Sequence, residues 1–220
     1  MNVSENPSDS ELVGRMASGD REAFAALFRR HQATVYRFSR QMLGSNDAAE
    51  DVTQEVFMAL ARNAHRFNPS IGSLTTYLYG ISRNLILQRH KRSRAHLEVD
   101  IDAIDAERTV AFATGDDPAD ALSRTQMIEQ LRLAILRLPV RYREAVVLCE
   151  LNGLSYEDAA LVAGCPIGTI RSRLSRARQI LVERCRVLLD SKQTETVRAK
   201  GRGQREESTK EWLILTKNNC

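Results

Sequence analysis

The chain has 220 residues, with 32 Lys and Arg against 28 Asp and Glu for a net charge of +4, and at roughly 150 residues per domain it falls between one domain and two. Hydrophobic residues reach 43%, too many for a disordered chain, while 11 Gly and 5 Pro lie well below the usual share of about 12% and disfavour a fold of many short strands. Four dispersed cysteines with no C-x-x-C pair argue against a disulfide scaffold or zinc ribbon, and no apolar run approaches the roughly 18 residues of a membrane span. Met1 to Asp20 is polar and acidic, unlike a secretory signal. Composition therefore predicts a soluble, cytoplasmic, all-α protein with no membrane insertion.

The first helix is expected from about Ser10 to Ser18, broken by Gly19. A second follows Asp20, with Phe24, Leu27, Phe28 and Val35 at helical spacing, and ends at Gly44-Ser45-Asn46. Asp47 and Glu50 read as N-cap and N3 of a capping box that opens a third helix burying Ala49, Val52, Val56 and Leu60. After a loop at Asn68 to Ser73, a fourth helix spans about Leu74 to Arg92, with Leu74, Tyr77, Leu78, Ile81 and Leu85 on one face. Eight of the twelve aromatic residues fall between Phe24 and Tyr79, which places the larger aromatic core here.

Charge divides the chain more sharply than hydrophobicity does. Arg83 to Arg94 carries five Lys or Arg and no acid, Ala95 to Asp120 carries eight acids against Arg108 alone, and Pro166 to Arg186 carries six Arg against Glu183. Any one basic block is readily a solvated helix face. Two blocks flanking an acidic spacer fit two separate nucleic-acid contacts better. The predicted domains are residues 10–94, an acidic flexible linker at 95–120, a second helical domain at 121–188, and a disordered tail at 189–220 with Trp212 to Leu215 as its one apolar spot. The linker's carboxylates cannot pack a core and will repel nucleic acid.

In the second domain, Ile128, Leu131, Ile135 and Leu138 mark an amphipathic helix, and Pro139 at N1 opens another that ends at Gly153. Ser155 caps a short helix with Asp158 at N3, and Gly164 supplies the left-handed stop. Cys165 then reads as N-cap and Pro166 as N1 of a further helix. Two helices joined by about three residues containing Gly have the geometry of a helix-turn-helix. Rotation at about 100° per residue gathers Ile170, Leu174, Ala177 and Leu181 on the core side. Arg171, Ser172, Ser175, Arg176 and Gln179 fall opposite, donors suited to base edges, with Arg173 and Arg178 flanking them for phosphates.

These residues resemble a known family. Leu138-Pro139 through Arg143 to Leu148, followed by GTIRSRLSRAR, is similar to region 4 of the extracytoplasmic-function (ECF) sigma factors of the sigma-70 family. Asp47 to Phe57 (DAAEDVTQEVF) and Thr75 to Asn84 (TTYLYGISRN) resemble region 2 of the same family. The resemblance covers about Arg21 to Arg186. It implies core RNA polymerase and promoter DNA as partners, an anti-sigma factor as inhibitor, and a role in transcription initiation. Region 4 would read the minus-35 duplex through Arg171, Ser172, Arg173, Ser175, Arg176 and Arg178. Region 2 would capture the separating minus-10 strands with the loop Arg66 to Leu74, through Asn68, Tyr77, Arg83 and Asn84, where an aromatic platform and nearby cations suit an unpaired strand. Tyr77 also fits a core position. Core-polymerase contact would fall to Asp51, Gln54, Glu55 and Phe57.

Competing classes explain less. A stand-alone DNA-binding regulator needs only the helix-turn-helix and leaves Asp47 to Asn84 unused. An enzyme would need a site, yet His31, His65, His90 and His96 show no metal spacing and no phosphate loop or nucleophile elbow appears. No cofactor or metal is expected. Cys165 at a helix start near Arg171 has the setting of a redox thiol, but a small residue filling the turn is much the better account of it.

Overall fold

Ser8 opens the first helix by accepting a hydrogen bond from Glu11 N–H at 3.3 Å while Glu11 reaches back to Ser8 N–H at 2.7 Å, a reciprocal cap that satisfies two orphan donors. This helix, α1 (Asp9–Ala17), leads to α2 (Arg21–Leu43), capped by Asp20, then α3 (Asn46–Arg62), a 3₁₀ turn at Ala64–Arg66, and α4 (Leu74–Ala95). The computed structural model describes residues 7–95 and 120–184, with no strand among them. The chain divides into two compact units, Met1–Arg178 and Gln179–Cys220; of the second, residues 179–184 are described, and they are helical. Residues 96–119 of the expected linker, and the expected tail at residues 189–220 with its Trp212 to Leu215 spot, lie outside the described residues.

Helix α2 is the spine of the first helical group. Leu27, Val35, Phe38 and Met42 on one stripe are at most 1% exposed, and α3 meets them with Ala49, Val52, Val56 and Leu60, each 0% exposed. Full burial of such side chains contributes about 1.5–3 kcal/mol apiece. Phe28 and Phe57 pack edge to face with ring centroids 4.8 Å apart, and Phe38 and Tyr79 stack at the same separation.

The start of α3 differs from the expected capping box. Gly44 leaves α2 at φ 75°, and Ser45 is the next extended residue, its hydroxyl accepting from Ala48 N–H at 3.3 Å. Ser45 is therefore the N-cap, and Asp47 lies in the first turn, where its charge suits the helix dipole. The expected apolar face of α4 also splits. Leu74, Leu78, Tyr79 and Ile86 are buried, whereas Tyr77, Ile81 and Leu85 are half-buried, because α4 packs against α2 and α3 on one side and a helix of the second group on the other.

The second group comprises α5 (Asp120–Leu136), α6 (Val140–Val146), a π-helical turn at Val147–Leu151 and α7 (Tyr156–Ala163), followed by α8 at residues 167–184. Among the described side chains of α5, those that are packed lie at its C-terminal end. Ala134, Ile135 and Leu138 are buried, but Ile128 and Leu131, expected on the same core stripe, are 47% and 43% exposed. The neighbours of α5, namely α2 and α6, meet it near Leu136 and Leu138, so the periodic apolar pattern outruns the surface available to cover it. Prolines stand one position earlier than expected relative to both helices they open. Pro139 caps α6, and Pro166 precedes α8, its carbonyl accepting from Thr169 N–H at 2.9 Å.

Candidate nucleic-acid interface

Ser155 accepts from Asp158 N–H at 3.0 Å and Gly164 ends α7 at φ 62°, so α7, a short turn and α8 form the expected helix-turn-helix. Ile170, Leu174 and Ala177 are at most 2% exposed and fix the rotation of α8. That rotation leaves Arg171, Ser172, Ser175 and Arg176 exposed together on the outer face. Arg171 lies over the Tyr156 ring, 5.7 Å from its centroid, which restrains the guanidinium without spending its donors. Ser172 donates to Thr169 O at 2.9 Å, leaving its oxygen free to accept.

The two flanking arginines are engaged within the protein. Arg178 donates to Glu150 on the exposed edge, and this partner pushes its pKa up. Arg173 turns inward, with 22% of its side chain exposed, to within 3.5 Å of Glu144.

In the first group, Asn68 accepts from Ser70 N–H at 3.0 Å and the Ser73 hydroxyl accepts from Thr76 N–H at 3.1 Å. These local bonds shape the loop between the 3₁₀ turn and α4. Ile71 at its tip is 65% exposed, and the loop lines a cavity of about 500 Å³ with Phe67, Tyr77, Ile81 and Asn84. Phe67 and Tyr77 face each other at 5.6 Å. Burial of the Tyr77 ring pushes its hydroxyl pKa up. A half-buried aromatic pair beside exposed Asn68 and Asn84 is a pocket of the kind that takes an unstacked base. Arg83 is not in this pocket: it pairs with Glu144.

The residues expected to meet a polymerase divide in two. Asp51 and Gln54 are exposed, and Glu55 is half-exposed. Arg89 of α4 lies 2.7 Å from Glu55 and 3.7 Å from Asp51, partly neutralising the acidic face that the one-turn spacing suggests. Phe57 is 1% exposed within the Phe24, Phe28 and Phe57 cluster. A side chain so enclosed supports the helix and does not itself touch a partner, which corrects its place in the expected contact set.

A buried group and a half-buried one were not anticipated. Glu144 is 3% exposed, and the signal for it was present as a lone acid before the apolar run Ala145 to Leu148. Arg143, whose pKa burial pulls down, donates to the carbonyls of Leu136, Leu138 and Met42, pinning the turn between α5 and α6. Among the described residues, no group of three His, Cys, Asp or Glu is placed to hold a metal ion, and no helix is long and apolar enough to cross a membrane.

A helix-turn-helix with an arginine-rich outer face, accompanied by a first helical group that carries an aromatic pocket, has the form of a DNA-reading protein. Residues 27–96 match Sigma-70 region 2 and residues 128–181 match Sigma-70 region 4. The chain is 33% identical over 197 residues to the ECF RNA polymerase sigma-E factor of Escherichia coli K12, covering 85% of this chain and 99% of that one. It is 34% identical over 172 residues to the ECF sigma factor SigE of Mycolicibacterium smegmatis, covering 75% of this chain and 63% of that longer protein. Among solved structures, the sigma factor RpoE of Bartonella quintana, in complex with the anti-sigma factor NepR, aligns with a TM-score of 0.57 and 30% identity over 76% of this chain and 98% of that one. The chain belongs to the ECF sigma factors of the sigma-70 family, promoter-specific transcription initiation factors.

Proposed function

We propose that this chain binds core RNA polymerase through the exposed Asp51, Gln54 and Glu55 face of α3 and directs it to promoters through two separate readers. The outer face of α8, with Arg171, Ser172, Ser175 and Arg176, reads the minus-35 duplex, and Arg178 and Arg173 approach the flanking phosphates once released from their acids. The loop at residues 66–74, with Asn68, Tyr77 and Asn84, receives the minus-10 strand as the duplex opens, and Arg83 holds its backbone. The observation that carries this reading is the rotation of α8: three buried aliphatic residues point four donor side chains outward together, in a chain that also carries both sigma regions in order.

The protein contributes recognition and strand capture, while the polymerase performs the chemistry; on this reading it is not an enzyme and acts in the cytoplasm, where the polymerase is. The Bartonella quintana relative is held by an anti-sigma factor, which supports an inhibitory protein partner here. The test is run-off transcription from pooled genomic fragments by purified core polymerase, with and without the chain. Discrete new transcripts whose upstream sequences share two spaced elements are expected. No binding to core polymerase would overturn the reading in favour of a stand-alone DNA-binding regulator.

A further inference from the structure

The basic block of α4 does not present one surface. Lys91 and Arg92 are exposed, but Arg89, with 29% of its side chain exposed, turns onto α3. Its Nη2 donates to Glu55 Oε1 at 2.7 Å, and its Nη1 lies 3.4 Å from the Ala48 carbonyl oxygen and 3.7 Å from Asp51 Oδ2. Ala48, Asp51 and Glu55 follow at spacings of three and four, neighbours along one helix face, so one guanidinium bridges two turns of α3. Both carboxylates stay open to a partner: Asp51 is 67% exposed and Glu55 43%. The row continues one turn further through Met58, 51% exposed.

A carboxylate has two oxygens, each able to accept more than one hydrogen bond. Arg89 takes one oxygen of Glu55 and leaves the other for a donor from outside. An exposed ion pair of this kind adds little to folding stability. Its larger effect is on side-chain freedom. Carboxylates already held in one pose lose less entropy when a partner orders them, and the planar guanidinium fork is better suited than an ammonium to holding two at once. Net charge works the other way: Arg89 cancels one of the two carboxylate charges and so weakens the attraction for a basic partner. Preorganisation and net charge therefore predict opposite signs for its removal.

We propose that Arg89 is a positioning residue for polymerase binding: it holds the Asp51 and Glu55 carboxylates in the poses that a basic polymerase surface takes, and it is not one of the DNA contacts of the basic block. The inference rests on the polymerase-binding role given to this face of α3 above.

The test is titration of the full chain with core RNA polymerase. Arg89→Met keeps an aliphatic stem on the helix and removes the charge and the donors. Its affinity should fall about three- to tenfold, although the face becomes more acidic, while its thermal unfolding is little changed. Arg89→Lys, which keeps the charge and loses the fork, should lie between Arg89→Met and wild type. In a background of Asp51→Ala with Glu55→Ala, Arg89→Met should cost nothing further, because the groups that Arg89 orients are gone. Holoenzyme assembled with Arg89→Met should keep the wild-type salt slope on promoter fragments, whereas loss of a phosphate contact lowers it by about 0.9. Unchanged or tighter affinity in Arg89→Met, wild-type affinity in Arg89→Lys, the same fold loss in the double-alanine background, or a reduced salt slope would overturn the inference. An affinity that falls in Asp51→Ala with Glu55→Ala but not in Arg89→Met removes the inference and leaves the polymerase-binding face standing; no effect of either removes both.

Discussion

Leu136 of α5 presses its methyl groups onto Gly44 at the end of α2: a Cβ on Gly44 would sit 2.8 Å from Leu136 Cδ1. Gly44 also has φ 75°, so its lack of a side chain serves both the turn and the contact. Gly44→Ala is expected to lower the unfolding free energy by about 1–2 kcal/mol from the left-handed backbone alone, with a further loss from the displaced leucine. In a Leu136→Ala background only the backbone part should remain. Urea unfolding of the four proteins measures both.

The outer face of α8 separates base reading from phosphate contact. Arg176→Ala should relax discrimination at one minus-35 base pair, by about 1–3 kcal/mol, with little change in salt dependence. Arg178→Ala should weaken all duplexes alike and reduce the log–log salt slope by about 0.9. Fluorescence anisotropy on promoter fragments mapped by run-off, repeated at several salt concentrations, distinguishes the two; identical behaviour would contradict the division.

On α3, contact and support are separable by where the energy is lost. Asp51→Asn with Glu55→Gln should weaken core-polymerase binding about tenfold, about 1.4 kcal/mol. The loss of their pairs with Arg89 should change stability by less than about 1 kcal/mol, as for other solvent-exposed ion pairs. Phe57→Ala should instead cost about 3–5 kcal/mol of stability. Thermal unfolding and polymerase titration of both variants test this, and a stable Phe57→Ala would contradict the packing described.

Burial pushes the Glu144 carboxyl above the ordinary carboxylate range, against the opposing pull of Arg83 and Arg173. The folded protein therefore holds this proton more tightly than the unfolded chain does. Its contribution is full below the unfolded pKa of about 4.3 and is lost as pH rises through the raised folded value. The unfolding free energy of wild type relative to Glu144→Gln should thus fall with rising pH across that window, by at most about 1.4 kcal/mol per pH unit. Glu11 and Asp20, whose carboxyls are lowered by bonds from Ser8 and Arg15, act in the opposite sense but are common to both proteins and cancel. A relative stability that rises with pH would contradict the buried state of this group.

Much of the site was legible because it is written at short range. Gly164 after a capped, eight-residue helix and the spacing of Ile170, Leu174 and Ala177 set both the turn and the outward face of α8. The same reasoning placed the apolar stripe of α3, whose four residues are all fully buried. It failed where a pattern had two partners or none. Half of the α4 stripe faces a cavity because a second group covers that side, and Ile128 and Leu131 stay exposed because nothing among the described residues reaches them.

By itself the sequence determined that the chain is helical, the caps at Ser155 and Gly164, the rotations of α3 and α8 and the presence of both sigma regions, since these follow from backbone conformations and side-chain periods within a few residues. Only the tertiary structure decided that Phe57 is enclosed, that Arg89 shields Asp51 and Glu55, and that Arg83 and Arg173 meet on Glu144. Those outcomes join residues 61 positions apart in the case of Arg83 and Glu144. Periodicity says which side of a helix is charged; the packing of whole helices decides which opposite charge that side meets.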